Sequence, residues 1–368
     1  MECYSIALRP VAAVWWALER LRRRSGAVRR MEAHRASFYQ TVWRQAAAAI
    51  GAETDSLPDG SLRIGLPGFV TRVKQNWTEA DDEGTLHRAG NKPMVLGLLA
   101  AEQLPVPRCR QFNLSSLDVA ADFLAQIAGN CVVKPAAGTG AGAGVTTHVR
   151  QVRQLRWAAA RAAMHGRELC IEEQIEGDNY RLLYFDGVLL EAVLRRPPAV
   201  TGDGRSSVRA LVKRLNRSRL ADGARAAQTL ITCDLDMRHT LAVQGLSVAS
   251  VPAAGRRVRL KTAVNENSAD ENSAAGHVLC PAVIEAGAHA ARAVGARLAG
   301  VDIITPDPAR PLADVGGVVL EVNTTPGLYY HYHRQGGPSA IAVDILNHLL
   351  QRQPCACLAD RECVHAGA

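Results

Sequence analysis

The sequence predicts an α+β chain built from more than one domain, not a single doubly wound sheet. Three observations point there. Amphipathic stretches such as "DVAADFLAQIA" and "PAVIEAGAHAARAVGARL" have helical spacing and alternate with short apolar strands. Much of the strand content falls in hairpins; "RLLYFDGVLLEAVLR", with Asp186-Gly187 at its turn, is the clearest. The 368 residues, 48% hydrophobic and 21% charged, suffice for one large or two to three smaller domains with buried cores.

Taken in order, "ASFYQTVWRQAAAAI" (36–50) reads as a helix stopped by Gly51, and "DGSLRIGLPG" as a strand with turn punctuation. The polar "TEADDEGTLHRAGNK" marks a break before the apolar "PMVLGLLAAEQLPVP". The helix "DVAADFLAQIA" leads to a short buried strand, "CVVKP", and then to the glycine-rich turn "AAGTGAGAG". "QVRQLRWAAARAAMHG" is a further helix and "ELCIEEQIEG" a strand. After the Asp186-Gly187 hairpin and a long helix, "AGVDIIT" and "GGVVLEVN" close the pattern as strands. No internal repeat is visible.

The net charge of +8 is concentrated near the start, where residues 1–35 hold eight arginines against three glutamates. That cluster follows the apolar "VAAVWWAL". It reads as a surface helix, with an acidic membrane or RNA contact and a signal peptide as competing readings. No run of about 18 apolar residues is present to span a membrane. The nine cysteines show no paired spacing except Cys355, Cys357 and Cys363 in the tail, a poor zinc pattern even with His365 nearby. A reduced, cytoplasmic setting is expected, with no nucleic-acid partner.

Three groups of residues can carry chemistry. Gly138, Gly140, Gly142 and Gly144 follow Lys134 at the end of a strand. Backbone N–H groups of such a loop can approach phosphates closely, although a purely structural turn has the same composition. It lacks the Gly-Lys-Ser/Thr of a P-loop. Asp302 and Glu321, nineteen residues apart, fall on strands able to pair as a hairpin. With Asn323 they would form one patch of hard oxygen ligands suited to Mg²⁺, or else polar residues at a solvated strand end. Arg181, Arg195 and Arg196 lie on the Asp186-Gly187 hairpin, where alternation lets only one of the last two point inward.

Together these segments resemble the ATP-grasp superfamily of carboxylate–amine ligases, and within it the ATP-grasp portion of cyanophycin synthetases. "NKPMVLGLLAAEQLPVP", "VVKPAAGTGAGAGV", "IEEQIEGDNYR", "RRPPAVTGDGRSSVRALV", "DLDMRHTLAVQGLSVASVPAAGRRVRLKTAVNEN" and "GVDIITPDPARPL…VVLEVNTTPGLYYH" follow the family's order over residues 91–335. The resemblance implies two α+β subdomains clamping ATP. The expected divisions are an N-terminal region over 1–88, a linker helix and lid subdomain over 89–178, a core subdomain over 179–350 with an insertion near 203–275, and a tail over 351–368.

The resemblance also implies roles. Lys92 and Lys134 would contact nucleotide phosphates, and Glu172, Glu173, Gln174 and Ile175 would line adenine. Asp178 or Asn179 would hold the ribose. Lys261 would touch the terminal phosphate, and Arg196 or Arg195, with Arg181, would neutralise charge near the acyl phosphate. Asp302, Glu321 and Asn323 would hold Mg²⁺, or Mn²⁺ in its place. Asn265, Asn267 and His331 would line the substrate pocket. Two positions depart from the family pattern: Ala143 stands where a basic residue is common, and Asn179 where an acid is common. The chain ends soon after "AVDILNHLL" without a second, Mur-ligase-like domain, so one ligation is expected instead of alternating polymer extension.

The implied reaction joins a carboxylate and an amine of amino-acid-like substrates, through an acyl phosphate, with release of ADP and phosphate. Stepwise extension of a short peptide primer and nucleotide binding without catalysis are the alternatives. A homodimer is expected by analogy.

Overall fold

The structure is a computed structural model and describes residues 25–140, 142–223 and 229–350. The arginine-rich segment before Ser25 and the cysteine-containing tail after residue 350 lie outside the described residues.

Helix α1 (Gly26–Ala49) begins ten residues earlier than the apolar spacing suggests, because the Ser25 hydroxyl caps it by accepting from Val28 N. It buries Phe38, Tyr39, Val42, Trp43 and Ala46 along one stripe. Burying a side chain of that kind contributes about 1.5–3 kcal/mol. An antiparallel meander follows: β1 (Glu53–Ser56), β2 (Leu62–Leu66), β3 (Phe69–Lys74) and β4 (Trp77–Thr78). Two short helices come next, α2 (Glu83–Ala89) capped by Asp82 and α3 (Lys92–Ala101) capped by Asn91.

The second sheet has order β5-β8-β6-β7 and is wholly antiparallel. Its strands are β5 (Cys109–Phe112), β6 (Cys131–Pro135), β7 (Thr146–Val149) and β8 (Leu169–Glu173), with α4 (Leu117–Gln126) and α5 (Val152–Ala162) inserted. Both helices cover one face, where Phe123, Leu124, Leu155 and Ala158 pack on Cys131, Val133 and Ile171. Alternation sends Lys134, Cys170 and Glu172 to the opposite face.

The central sheet has order β13-β10-β9-β14-β15. Strands β9 (Asp178–Phe185) and β10 (Val188–Arg195) are joined by the predicted turn, with Asp186 at φ 49° and Gly187 at φ 79°. Positive φ at both turn residues is the type I′ requirement. Along the chain, between β10 and β13, is inserted a small subregion of β11 (Ala199–Thr201), α6 (Val208–Asp222), α7 (Leu235–Ala242) and β12 (Arg257–Arg259). It has its own core of Val208, Val212, Met237, Leu241, Val258 and Leu260. Strand β13 (Asn272–Ala274), α8 (Pro281–Val294), β14 (Leu298–Thr305), α9 (Leu312–Val315), β15 (Val318–Asn323), α10 (Tyr329–Tyr332) and α11 (Ile341–Leu350) complete the chain.

Both faces of the central sheet are covered, which is why β9 is buried from Tyr180 to Phe185, Arg181 included. Tyr180, Leu182 and Tyr184 pack toward α8, while Leu183 and Phe185 pack toward α1 and α11. Arg181 shares that second face by alternation. No helix among the described residues is long and apolar enough to cross a membrane.

Candidate active site

Strand pairing assembles the charged centre. On the antiparallel β14–β15 hairpin, Asp302 stands opposite Glu321 and Gly300 opposite Asn323, as the sequence spacing suggests. On the other flank Asp302 stands opposite Arg181 of β9. Arg181 donates from Nε to Asp302 Oδ1 at 2.6 Å and from Nη2 to Oδ2 at 2.7 Å; Arg195 Nη1 adds a longer contact to Oδ1 at 3.5 Å. Burial pushes the Asp302 carboxyl upward, but the two guanidinium groups outweigh it and hold the pKa below the ordinary carboxylate value.

Arg195 is the arginine that faces inward. It is 1% exposed and its guanidinium lies over the Tyr330 ring, 4.2 Å from the centroid. Arg196 is exposed beyond the strand end and contributes only backbone groups to the Asn267–Glu271 turn, so of the two expected arginines only Arg195 faces the centre. Room for Arg181 comes from Gly300. A β-carbon there would lie 3.2 Å from Arg181 Cδ and 2.8 Å from Pro326 Cβ.

Among the described residues no cluster of three or more His, Cys, Asp or Glu side chains could hold a metal ion, so a cation here depends on the amide as well as the carboxylates. The donor set fits a hard cation. Asn323 Nδ2 donates to Gly300 O at 3.3 Å, leaving Oδ1 available. Glu321 pairs with Lys92 Nζ at 3.9 Å and also lies in the field of Lys134 and Arg181. Asp302 keeps unused lone pairs beyond its two bonds to Arg181.

Lys92 joins this centre to the glycine loop. It is the first residue of α3, its backbone N–H donates to Ala136 O at 2.9 Å, and its Nζ reaches Thr139 O at 3.4 Å. Gly138 and Gly140 have open space where a side chain would stand. Gly142 does not: at φ 71°, a β-carbon would lie 2.5 Å from Asn265 Nδ2. Gly144, at φ 78°, is packed against Pro135 and His165. Asn265 also accepts from Arg195 Nη2 at 3.2 Å, so one side chain links the loop to the charged centre.

Lys134 lies buried on the face of the second sheet opposite its two helices, paired with Glu172 Oε1 at 2.7 Å. Burial opposes its charge, but Glu172, Cys170 and Glu321 together hold its pKa above the ordinary lysine value. Glu172 Oε2 is buried without a hydrogen-bond partner. The backbone N–H groups of Glu173 and Gln174 donate to Arg108 O and Asn130 O, and Ile175 is half-buried. Asp178 is exposed, while Asn179 Oδ1 is buried and unpartnered.

Three predicted site residues are engaged elsewhere. Lys261 is buried, and its ammonium donates to Thr232 Oγ1 (2.8 Å), Asp234 Oδ2 (2.7 Å) and Glu266 Oε1 (3.1 Å). Its three donors have three acceptors, so no phosphate contact is open without breaking that set. Arg161 adds a second cation to Asp234 at 2.6 Å. Asn267 turns inward, bonded to Arg196 O and Asn272 Oδ1. His331 is fully buried with Nδ1 on Glu191 Oε2, and its Nε2 has no partner. Burial lowers the His331 pKa below its ordinary value, and the Glu191 carboxylate only partly offsets this.

Sequence reasoning missed Tyr330, Gly300 and the Asp234–Glu266–Arg161 set around Lys261. Gly300 had a readable signal, since it shares a strand face with Asp302. Glu266 is only five residues from Lys261, but Tyr330, Asp234 and Arg161 come from segments too far from their partners in sequence for spacing to reveal.

These two sheets, with Lys134 on one and the Asp302–arginine centre on the other, form an ATP-grasp fold. Within it the chain is similar to cyanophycin synthetases. It is 27% identical over 330 residues to that of Trichormus variabilis, covering 85% of this chain and 36% of the relative. It is 29% identical over 324 residues to that of Geminocystis herdmanii, covering 83% and 37%. It is also 27% identical over 291 residues to the glutathione biosynthesis bifunctional protein GshAB of Streptococcus mutans, covering 77% and 38%. The chain thus spans little more than a third of these relatives. The crystal structure of a bifunctional glutathione synthetase from Pasteurella multocida superposes with a TM-score of 0.50 at 24% identity, covering 80% of this chain and 42% of that one. No protein-family model matches the chain.

Proposed function

We propose that the chain is an ATP-dependent carboxylate–amine ligase that forms a peptide or related amide bond on amino-acid or small-peptide substrates. The observation that carries this reading is the Asp302 centre: one buried carboxylate gripped by Arg181 and faced by Arg195, on the same sheet face as Glu321 and Asn323. Similarity to cyanophycin synthetases and GshAB supports it.

Asp302, Glu321 and Asn323 would hold a divalent cation, Mg²⁺ in the first instance, whose charge would screen the phosphates against an incoming anion. Lys92 and Lys134 supply further positive charge beside the glycine loop. The attacking substrate carboxylate is ionised at neutral pH, so its attack on the γ-phosphate needs no protein nucleophile. Arg195 and Arg181 neutralise charge while the acyl phosphate forms. An amine then attacks the activated carbonyl, phosphate leaves, and the amide results. Positioning and charge do most of the work.

The test is mass spectrometry of a pooled amino-acid and dipeptide library with Mg-ATP. ADP, phosphate and a product equal to two pool members minus water are expected. AMP and pyrophosphate would replace the acyl-phosphate route with adenylation.

A further inference from the structure

Arg219 lies near the end of α6, is 1% exposed, and forms no ion pair among the described residues. Its Nη1 donates to Thr229 O and Glu266 O, each at 2.9 Å, while Nε and Nη2 are buried without partners. Those two atoms are the edge with which Arg181 grips both oxygens of Asp302. Arg219 therefore presents the same fork with nothing on it. A buried guanidinium left in this state is costly, and a carboxylate is the group whose geometry matches the fork.

The surroundings place this edge next to the reacting centre. Glu266, whose carbonyl accepts from Arg219, follows Asn265, whose side chain accepts from Arg195. Tyr329 lies in the field of Arg219 and adjoins Tyr330, which stacks on Arg195. Two buried arginines thus meet consecutive residues at two places: Arg219 beside Glu266 and Tyr329, Arg195 beside Asn265 and Tyr330. The nearby acids are already engaged: Glu266 by Lys261 and Thr232, Glu271 by Ser268 and Ala199 N–H. Tyr329, kept neutral by burial, is the remaining neighbour.

We propose that the free edge of Arg219 recognises a substrate carboxylate other than the one that is activated, so that the enzyme selects a substrate carrying this extra acid group. This rests on the ligase reading, and its test is built to fail separately. Ligation is compared for substrates with the second carboxylate intact or converted to a carboxamide, first on the carboxyl donor and then on the amine acceptor. Wild type should prefer the acid in one of the two positions by roughly 10- to 100-fold in kcat/KM. Arg219→Met should reduce that preference to near unity by raising KM for that substrate, with KM for ATP unchanged. Arg219→Lys should restore part of it. Equal use of acid and amide by wild type, in both positions, would overturn the proposal even if neither variant folds.

If wild type turns over nothing, the ligase reading fails. The Arg219 edge is then read by thermal shift with Mg-ADP present, using succinate, aspartate and glutamate against succinamate, asparagine and glutamine. Protection by the acids alone, lost in Arg219→Met, supports it, and equal melting with acids and amides overturns it.

Discussion

Arg181 and Asp302 face each other across β9 and β14 and are joined through both carboxylate oxygens, at 2.6 and 2.7 Å. Either partner left alone is a buried, unpaired charge. Arg181→Met is expected to destabilise the fold by about 3–5 kcal/mol, read by urea denaturation. Asp302→Asn keeps the shape but leaves Arg181 without its counter-charge, so it too should lose stability; if Asp302 holds a cation, ligation by the folded variant should fall by roughly 100-fold or more. Turnover at the wild-type rate by that variant would remove Asp302 from the metal set.

Gly300 is expected to be intolerant of even one methyl group. In Gly300→Ala the new carbon meets Pro326 and the Arg181 side chain. Overpacking of this kind costs about 1–3 kcal/mol, and it should also shift Arg181 and slow ligation. An unchanged melting temperature together with an unchanged rate would show that this corner has slack.

Lys134 and Glu172 should behave as a unit. Lys134→Met strands the Glu172 carboxylate, so ATP affinity and stability should both drop, the former by roughly 10-fold or more. Adding Glu172→Leu should recover stability but not ATP binding. Calorimetry with ATP and denaturation of the single and double variants separate the two effects; additive losses of stability would refute the coupling.

The pH dependence follows from one buried and one half-buried histidine. Burial lowers the pKa values of His331 and His148 below the ordinary 6.5. The unfolded chain therefore binds protons first as pH falls. Their stability contribution is full above about pH 6.5 and is lost as pH drops through the lowered values. His331→Gln should flatten the decline between pH 7 and 5 in denaturation curves, leaving the His148 share. A slope identical to wild type would mean that folding leaves the His331 pKa unchanged and would overturn the lowered value.

The Asp302–Glu321 hairpin and the Asp186-Gly187 turn were legible because antiparallel register is set by short-range spacing and turn chemistry. The inward direction of Arg195 needed the register as well, since alternation alone leaves it interchangeable with Arg196. Lys261 and Asn267 could not be read this way. Their partners Asp234 and Arg196 come from distant segments, and a buried polar group takes whichever acceptor the fold delivers. Residues 25–89 gave little warning of their place because a helix and a meander have no distinctive motif.

That place matters beyond packing. Tyr39 of α1 accepts a hydrogen bond from Leu328 N at 3.1 Å, and Asn76 Nδ2 donates to Thr325 O at 2.5 Å. The loop that follows Glu321 and Asn323 is therefore moulded by residues 25–89. Anyone building chimeras should move the two as one cassette: a foreign front segment would fit the sheet yet leave that loop, and Tyr330 at its end, without its template.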